Sequence, residues 1–326
     1  MTKSKPNSTA SHSLLAVDAG GTKTAAWLVD SSQSEPLRIV GRGRSSAGNP
    51  LSVGFEEATR AIVQAVSQAC QDAGHSASPA GRAIMSIAGA MDEQLRRQFI
   101  DWVHTTRLAD KVAIVSDVLP VLAAGTPDCC GVALVAGTGS VAFGRAPDGR
   151  TARCGGWGYL LGDEGSGYAI GRAALNFALH SIENNDTHET LARAVLNSLG
   201  TESVSELTKT IYRCSDPRAL IASLAPLVIE AAEEGEPTAE AIVDSAACEL
   251  ANTAARAARS VGLGDESFAL AVAGGVLVSS PRLRNRLHEE LKTLGLHSTT
   301  HVVDEPLYGC VCLAAPEFAS SLVTWH

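Results

Sequence analysis

Two short stretches rich in glycine and threonine carry residue types that bind phosphate. In the first, the apolar run Leu14 to Val17 leads into Asp18, Ala19, Gly20, Gly21, Thr22 and Lys23, and a second apolar run follows. Adjacent glycines can adopt the positive φ of a tight turn, so the stretch predicts a strand, a turn and a second strand. Backbone N–H groups and a threonine hydroxyl in such a turn can donate to phosphate oxygens, and the aspartate can lie beside Mg²⁺. An ordinary β-hairpin has the same pattern, so this stretch alone leaves both interpretations open.

The pattern recurs later in the chain, where the apolar run Gly131 to Ala136 meets Gly137, Thr138, Gly139 and Ser140 before Val141 to Arg145. The spacing Gly137-x-Gly139-x-x-Ala142 also fits a dinucleotide-binding fingerprint, which requires a helix to begin at the turn. A turn signal at Pro147-Asp148-Gly149 comes too soon for a helix, and Thr151 to Arg153 predicts a third short strand. A Walker phosphate loop is absent from the sequence.

A carboxylate follows a third apolar run. Lys111 to Val115 predicts a buried strand, Asp117 lies at its carboxyl end, and Pro120 fits the first turn of a following helix. Ligands of open α/β sheets bind at this edge, which makes Asp117 a candidate site residue. Its carboxylate could also simply cap the helix.

Asn49 precedes Pro50 in a loop of small residues, where it is either a turn former or a ligand-binding residue.

The densest glycine stretch, Cys154 to Gly171, contains Gly156, Trp157 and Asp163. Because each glycine loses much backbone entropy on ordering, a folded binding loop explains this stretch better than a plain connection.

Both strands and helices are predicted around these residues, so we expect an α/β protein. The sequence predicts a third strand at Leu37 to Gly43, a strand at Ile84 to Ala88, and helices that begin after Asp92, Asp216, Glu236 and Ser280. A further helix, containing Ile170, Ala173, Ala174 and Phe177, is expected where the glycine-rich stretch ends. Phe268 to Ala273 predicts a strand that ends at Gly274 and Gly275, and Pro306 to Ala314 predicts a terminal helix. Glu230, Glu233 and Glu234 are expected on a solvated helix face.

Composition limits the class of protein. The 326 residues suit two domains, 45% of them are hydrophobic and 19% are charged, and the net charge of −9 argues against a nucleic-acid-binding surface. Residues 1–12 lack the apolar core of a signal peptide and predict a flexible tail, and the apolar runs are too short for a membrane helix. We therefore expect a cytoplasmic protein with no membrane partner.

The eight cysteines form no CxxC pair, so reduced thiols in cores and loops are expected. His297 and His301 are four residues apart, but the segment between them predicts an extended chain, which disfavours a metal site there.

The two turns, Asp117 and the late glycine pair together resemble the superfamily of actin, the sugar kinases and the heat-shock chaperone ATPases. Gly155-Gly156-Trp157-Gly158 and Gly162 to Ser166 resemble more narrowly the N-acetylglucosamine kinases of the BadF/BadG/BcrA/BcrD ATPase family. The resemblance implies two actin-like (ribonuclease H-like) domains with a nucleotide cleft between them. Expected boundaries are 13–127 for the N-terminal domain, joined by 306–326, and 128–305 for the C-terminal domain.

The resemblance also implies the activity: phosphorylation of the 6-hydroxyl of an amino sugar by ATP and Mg²⁺, with Asp117 accepting the hydroxyl proton. Asp18 would lie near Mg²⁺. The nucleotide would be bound by Gly20, Gly21, Thr22, Lys23, Gly137, Thr138, Gly139, Ser140, Gly274 and Gly275. The sugar would be bound by Asn49, Asp117, Ser140, Val141, Gly156, Trp157 and Asp163.

Several alternatives remain at this stage. The sugar could be N-acetylglucosamine, glucosamine or N-acetylmuramic acid. An activator ATPase of acyl-CoA dehydratases would bridge an iron–sulfur cluster between subunits, for which Cys129 and Cys130 are the available residues. A non-catalytic sugar sensor is a third class. The repressor-and-kinase glucokinases are disfavoured because their zinc-binding cysteine cluster is missing. A homodimer is common among relatives of this kind.

Overall fold

A computed structural model describes residues 13–31, 38–74, 80–90, 92–184, 190–201, 203–264, 267–315 and 322–326. The expected tail at 1–12, Leu37 of the expected third strand and residues 316–321 of the expected terminal segment lie outside these ranges. The chain divides into two compact units. The N-terminal unit runs to Ala124 and resumes at Glu305, and the C-terminal unit is Gly125–Asp304.

The N-terminal unit is built on a five-stranded sheet with the order β3-β2-β1-β4-β5. Strands β1, β2 and β3 form an antiparallel meander, and β4 and β5 continue the sheet parallel to β1. The strands are β1 (Ser13–Ala19), β2 (Thr24–Asp30), β3 (Arg38–Ser45), β4 (Ala80–Ile87) and β5 (Ala109–Val115). The helices are α1 (Pro50–Val53), α2 (Phe55–Asp72), α3 (Glu93–Thr106) and α4 (Leu119–Gly125).

Helices α2 and α3 bury the apolar residues of this sheet. Val17, Ile62, Met85 and Phe99 belong to one fully buried cluster. Helix α2 lies directly on β3, since a Cβ at Gly43 would overlap the carbonyl oxygen of Ala65. Helix α2 therefore packs closely against the β3 side of the sheet that carries the first candidate turn.

The C-terminal unit repeats this topology. Its sheet has the order β8-β7-β6-β9-β10, with β6, β7 and β8 antiparallel and with β9 and β10 parallel to β6. The strands are β6 (Gly131–Ala136), β7 (Ser140–Arg145), β8 (Thr151–Gly155), β9 (Phe268–Ala273) and β10 (Ser298–Val302). The turn after β6 leads into strand β7. A dinucleotide-binding fingerprint requires a helix at that point, so this alternative is wrong.

Eight helices of this unit are described. They are α5 (Gly167–Glu183), α6 (Thr190–Ser198), α7 (Val204–Arg213), α8 (Pro217–Ala222), α9 (Ala225–Glu233), α10 (Pro237–Ser260), α11 (Gly275–Ser279) and α12 (Pro281–Thr293). The helix starts predicted at Asp216-Pro217, Pro237 and Ser280-Pro281 are confirmed, and Ser166, Asp216, Glu236 and Ser280 each accept a hydrogen bond from the third residue that follows. Helix α11 was not predicted, because it is only five residues long.

Glu230, Glu233 and Glu234 are exposed, as expected, and Glu233 also links two helices. Its Oε1 accepts hydrogen bonds from Ser280 Oγ at 2.8 Å and from Arg282 N at 3.1 Å, so it joins α9 to the start of α12. Arg282 also pairs with Glu240 and Asp244 on α10. This acidic side chain is therefore part of an interhelical network although it is exposed.

The end of the chain returns to the N-terminal unit as helix α13 (Leu307–Leu313). A Cβ at Gly309 would overlap the carbonyl oxygen of Pro120, so α13 touches α4. His326 exchanges backbone hydrogen bonds of 2.9 and 3.0 Å with Val112. All eight cysteines are free thiols, as expected. None of the helices in the described ranges combines the length and apolar character needed to cross a membrane.

Candidate functional site

Strands β1, β4 and β5 are parallel, so their carboxyl ends meet at one edge of the N-terminal sheet. Asp18 lies near the end of β1, directly opposite Ser86 on β4. Asp117 follows the last residue of β5 by two positions. The structure thus brings together two acidic residues that are distant in sequence, at the edge where α/β sheets bind ligands.

The pKa of Asp18 is raised to about 6. Burial of the carboxyl group is the largest cause, and the negative charges of Asp117 and Glu305 add to it. A hydrogen bond of 3.1 Å from Ser86 Oγ and the charge of Lys23 lower the pKa again. Two neighbouring carboxylates therefore oppose the ionisation of Asp18, and a bound cation would relieve the repulsion among the three groups.

These residues fit Mg²⁺, which commonly uses one or two protein carboxylates and completes its shell with water and substrate phosphates. In the described ranges, no cluster of three or more His, Cys, Asp or Glu side chains is arranged to hold a metal ion. The arrangement is consistent with an ion shared with phosphate rather than with a protein cage.

The turn between β1 and β2 offers an open surface next to Asp18. Its Gly20 N–H donates to Lys23 O at 2.9 Å, which closes the turn. Gly21, Thr22 and Lys23 are exposed, and a Cβ at Gly21 would have no heavy atom within 4 Å. Because the Gly20 amide is used inside the turn, the surface that remains for a phosphate is formed by Gly21, Thr22 and Lys23.

Asn49 forms a turn at the start of α1, and its ligand-binding role stays a prediction. Its Oδ1 accepts from Leu51 N at 3.0 Å, so the side chain caps α1. A Cβ at Gly89 would lie 2.8 Å from the same oxygen, so the chain after β4 packs against Asn49. With Oδ1 occupied, the amide group presents its two N–H donors to any ligand.

The second turn, Gly137 to Ser140, is bound to the start of α5. Gly137 O accepts from Gly167 N at 2.8 Å, and Thr138 O accepts from Tyr168 N at 3.3 Å. Ser140 is buried, and its Oγ donates to Glu164 O at 2.7 Å. Gly137, Thr138 and Gly139 remain half-exposed. They are the part of this turn available to phosphate.

The glycine-rich loop encloses a buried carboxylate. Asp163 is 3% exposed, its Oδ1 accepts from Ser140 N at 3.2 Å, and its Oδ2 lies 3.1 Å from Arg218 Nη2. Burial raises the pKa of Asp163, and the Ser140 N–H and Arg218 oppose that rise. Trp157 in the same loop is 67% exposed.

Gly156 and Val141 lie under this loop. Gly156 has a φ of +72°, donates to Ser140 O at 2.9 Å, and leaves room for the Arg153 guanidinium and the Val141 side chain. Val141 is 5% exposed. Of the predicted sugar-binding residues in this unit, Trp157 is thus exposed and Gly156 half-buried, whereas Ser140, Val141 and Asp163 are buried.

The late glycine pair lies at the same sheet edge as the second turn, since β9 is parallel to β6. Gly274 has a φ of +91°, and a Cβ there would overlap Ala136 O, so glycine is required for this close approach. Gly275 begins α11, and a Cβ there would meet open space. Both predicted nucleotide-binding segments of the C-terminal unit therefore lie at one edge.

Three residues with clear roles in these sites were not singled out by the sequence. Ser86 and Glu305 act on Asp18, and Arg218 pairs with Asp163. Each is separated from its partner by many residues, so no local motif includes both. The sequence gives only the helix start at Asp216, which places Arg218 in the first turn of a helix.

Comparison with known proteins gives the family. The model of the BadF/BadG/BcrA/BcrD ATPase family matches residues 15–306. An N-acetylmuramic acid/N-acetylglucosamine kinase of Clostridium acetobutylicum is 28% identical over 93% of this chain and 98% of its own. An N-acetyl-D-glucosamine kinase of Dictyostelium discoideum is 28% identical over 92% of this chain and 97% of its own.

A crystal structure of a candidate N-acetylglucosamine kinase from Chromobacterium violaceum has the same fold. Its TM-score is 0.73 at 27% sequence identity, and the match covers 93% of this chain and 98% of that one. The predicted α/β fold class is confirmed by this match and by the two five-stranded sheets. The chain belongs to the BadF/BadG/BcrA/BcrD ATPase family.

Proposed function

We propose that this protein is an ATP-dependent kinase that phosphorylates the 6-hydroxyl of an amino sugar, with N-acetylglucosamine as the first candidate. The observation that carries the proposal is the repetition of one glycine and threonine turn at the same place in two identically ordered sheets. The names of the two curated relatives, both sugar kinases matched over nearly their whole length, support the substrate class.

In the proposed reaction, Asp117 accepts the hydrogen of the sugar 6-hydroxyl as that oxygen attacks the γ-phosphorus of ATP. The bond from that phosphorus to the bridging oxygen breaks, and ADP leaves. Positioning and charge stabilisation supply most of the rate acceleration in phosphoryl transfer. A carboxylate that accepts and orients the hydroxyl hydrogen therefore suffices as the base. The proximity of Asp117 to Asp18, expressed in the raised pKa of Asp18, supports this role.

Phosphate oxygens would be bound by the exposed backbone of the two turns. Gly21, Thr22 and Lys23 contribute in the N-terminal unit, and Gly137, Thr138 and Gly139 contribute in the C-terminal unit, with Gly274 and Gly275 beside the adenosine. Mg²⁺ bound near Asp18 would neutralise charge on the phosphates. Gly20 and Ser140 support these turns through the internal hydrogen bonds described above.

The sugar would be bound by Asn49 through its amide donors and by the loop residues Gly156, Trp157 and Asp163, with Ser140 and Val141 behind them. Trp157 offers an exposed apolar ring for a sugar face. Glucosamine and N-acetylmuramic acid remain alternative substrates, since they differ from N-acetylglucosamine only at the 2-amino and 3-oxygen substituents.

Other proposals about the whole protein follow from this function. Dependence on ATP and Mg²⁺ is consistent with a cytoplasmic enzyme, and Leu160 and Leu161 expose apolar surface that a homodimer could cover. The activator interpretation is less well supported, because Cys129 is fully buried and its thiol does not reach a surface where subunits could share a cluster.

The test is ADP release from MgATP in the presence of N-acetylglucosamine, glucosamine, N-acetylmuramic acid or glucose, each in turn. We expect turnover with amino sugars, the highest kcat/KM with N-acetylglucosamine, and a 6-phosphate product by phosphorus NMR. The highest kcat/KM with one of the other amino sugars would select that alternative. Absence of sugar-dependent ADP release with all of them would refute the proposed function.

A further inference from the structure

Arg218 lies where the glycine-rich loop meets the second turn. It is the second residue of α8, whose N-terminus is capped by Asp216 through a hydrogen bond of 2.9 Å to Ala219 N. Its guanidinium is 27% exposed and extends to Asp163. This cap orients α8 so that a long cationic side chain reaches the loop.

The ion pair restrains the geometry of Asp163. Each carboxylate oxygen has a partner, Ser140 N for Oδ1 and Arg218 Nη2 for Oδ2. The backbone at Asp163 has a φ of +62°, a left-handed conformation that is uncommon outside glycine although aspartate tolerates it better than most residues, so surrounding contacts help to hold it. The pair with Arg218 is one of those contacts.

The same pair packs against the backbone of the second turn. A Cβ at Gly139 would lie 2.7 Å from Asp163 Oδ2 and 2.9 Å from Arg218 Nη2. The guanidinium also lies 5.6 Å from the ring centroid of Tyr159, and Tyr159 makes an edge contact with Tyr168 on α5 at 5.1 Å. One side chain therefore contacts the turn and two points of the loop.

A plain surface ion pair does not account for these contacts. Arg218 Nε is buried and has no hydrogen-bond partner in the described part of the chain, and an unsatisfied buried donor carries a free-energy cost. The guanidinium is therefore held in an orientation that favours Asp163 and Tyr159 over its own full hydrogen bonding. Such an arrangement is typical of a residue that positions another.

We propose that Arg218 is a positioning residue for sugar binding, which holds the Asp163 carboxylate in the orientation that receives the amino sugar's hydroxyl groups. The proposal rests on the proposed function, because it requires Asp163 to bind the sugar. Arg218 itself need not touch the sugar. Its guanidinium restrains Asp163 and Tyr159, and so selects one conformation of the loop between Gly156 and Gly165.

The experiment compares Arg218→Met with Arg218→Lys and with Arg150→Met as the matched control. Arg150 forms an ion pair of 2.8 Å with Asp148 on the exposed surface of the same unit. We expect Arg218→Met to raise the KM for the amino sugar about tenfold or more while the KM for MgATP changes less than about twofold, a split typical of lost ground-state sugar binding. Arg218→Lys should recover part of the loss, and Arg150→Met should change neither KM.

A double-mutant cycle with Asp163→Asn tests whether Arg218 affects the sugar KM through the aspartate, because the effects of two residues that act through one another do not add. The double variant should have a sugar KM no higher than that of the worse single variant. An unchanged sugar KM in folded Arg218→Met, equal changes of both KM values, or additive effects in the cycle would overturn the proposal. If Arg218→Met does not fold, an unchanged sugar KM in Arg218→Lys has the same meaning.

The wild-type protein separates this proposal from the proposed function. Sugar-dependent ADP release by the wild type combined with an unchanged Arg218 variant refutes only the positioning role. A wild type without activity on any amino sugar refutes the proposed function, and the role of Arg218 with it.

Discussion

Replacement of Asp18 by asparagine should stabilise the protein at neutral pH while abolishing activity. The shift of the Asp18 pKa from 3.8 to about 6 means that the folded protein resists ionisation of this group. Two units of pKa correspond to about 3 kcal/mol, since one unit is about 1.4 kcal/mol. Because the side chain keeps part of its solvent exposure, we expect a gain of about 1 to 3 kcal/mol after screening.

The dependence on pH has a definite direction. Between about pH 4 and about pH 6 the folded protein holds a proton on Asp18 that the unfolded chain has released. Stability contributed by this group therefore falls as the pH rises through this window, and the full penalty is present above pH 6. The neutral side chain of Asp18→Asn carries no such penalty, so the stability difference should grow from near zero at pH 4 to its plateau above pH 6.

The assay is urea unfolding of the wild type and of Asp18→Asn between pH 4 and pH 8, with Asp101→Asn as the control on the exposed face of α3. The control should change stability by less than about 0.5 kcal/mol, as exposed substitutions usually do. Added Mg²⁺ should stabilise the wild type more than Asp18→Asn. If Asp18→Asn is no more stable than the wild type at pH 7.5, or if the difference does not vary with pH, the electrostatic reasoning is wrong.

Three further substitutions test other parts of the structure. Asp117→Asn should keep the fold and lower kcat by about 10²- to 10⁴-fold, the usual effect of losing a general base; near-normal turnover in a steady-state assay would remove Asp117 from that role. Ser86→Ala removes a hydrogen bond that favours ionised Asp18, so it should raise the pKa of Asp18 further. The Mg²⁺ concentration needed for half-maximal rate should then increase. An unchanged Mg²⁺ titration would count against a role of Asp18 in holding the ion. Gly43→Ala places a Cβ against Ala65 O and should destabilise the N-terminal unit by about 1 to 3 kcal/mol in urea, as overpacking does, and an unchanged midpoint would contradict the close packing of α2 on β3.

Local structure followed well from the sequence because it depends on near neighbours. Asp92 and Ser280 were predicted as helix caps and Asp216 as a helix start, and each one caps its helix. The strand after Gly139 was predicted because Pro147-Asp148-Gly149 leaves no length for a helix. Helix α11 was missed because it is five residues long and begins at Gly275. So short a segment carries too little periodicity to indicate a helix.

The assignment of individual groups at the site depended on the fold. Ser140 and Asp163 were both predicted as ligand-binding residues, but the sequence did not predict that they bond to each other over 23 positions. Gly20 was predicted to donate to phosphate, whereas its N–H closes the turn. Hydrogen bonds of this kind depend on which groups meet after the chain has folded, and no local pattern records them.

The sequence by itself determined the α/β class, both hairpins, most helix starts and the resemblance to amino-sugar kinases, because these depend on residue type and short-range periodicity. Only the tertiary structure decided that Ser86 and Glu305 act on Asp18, that Arg218 pairs with Asp163, and that Glu233 joins two helices. Burial and Coulomb interactions depend on distance in space, and residues far apart in the chain become neighbours only when sheet order and helix packing bring them together.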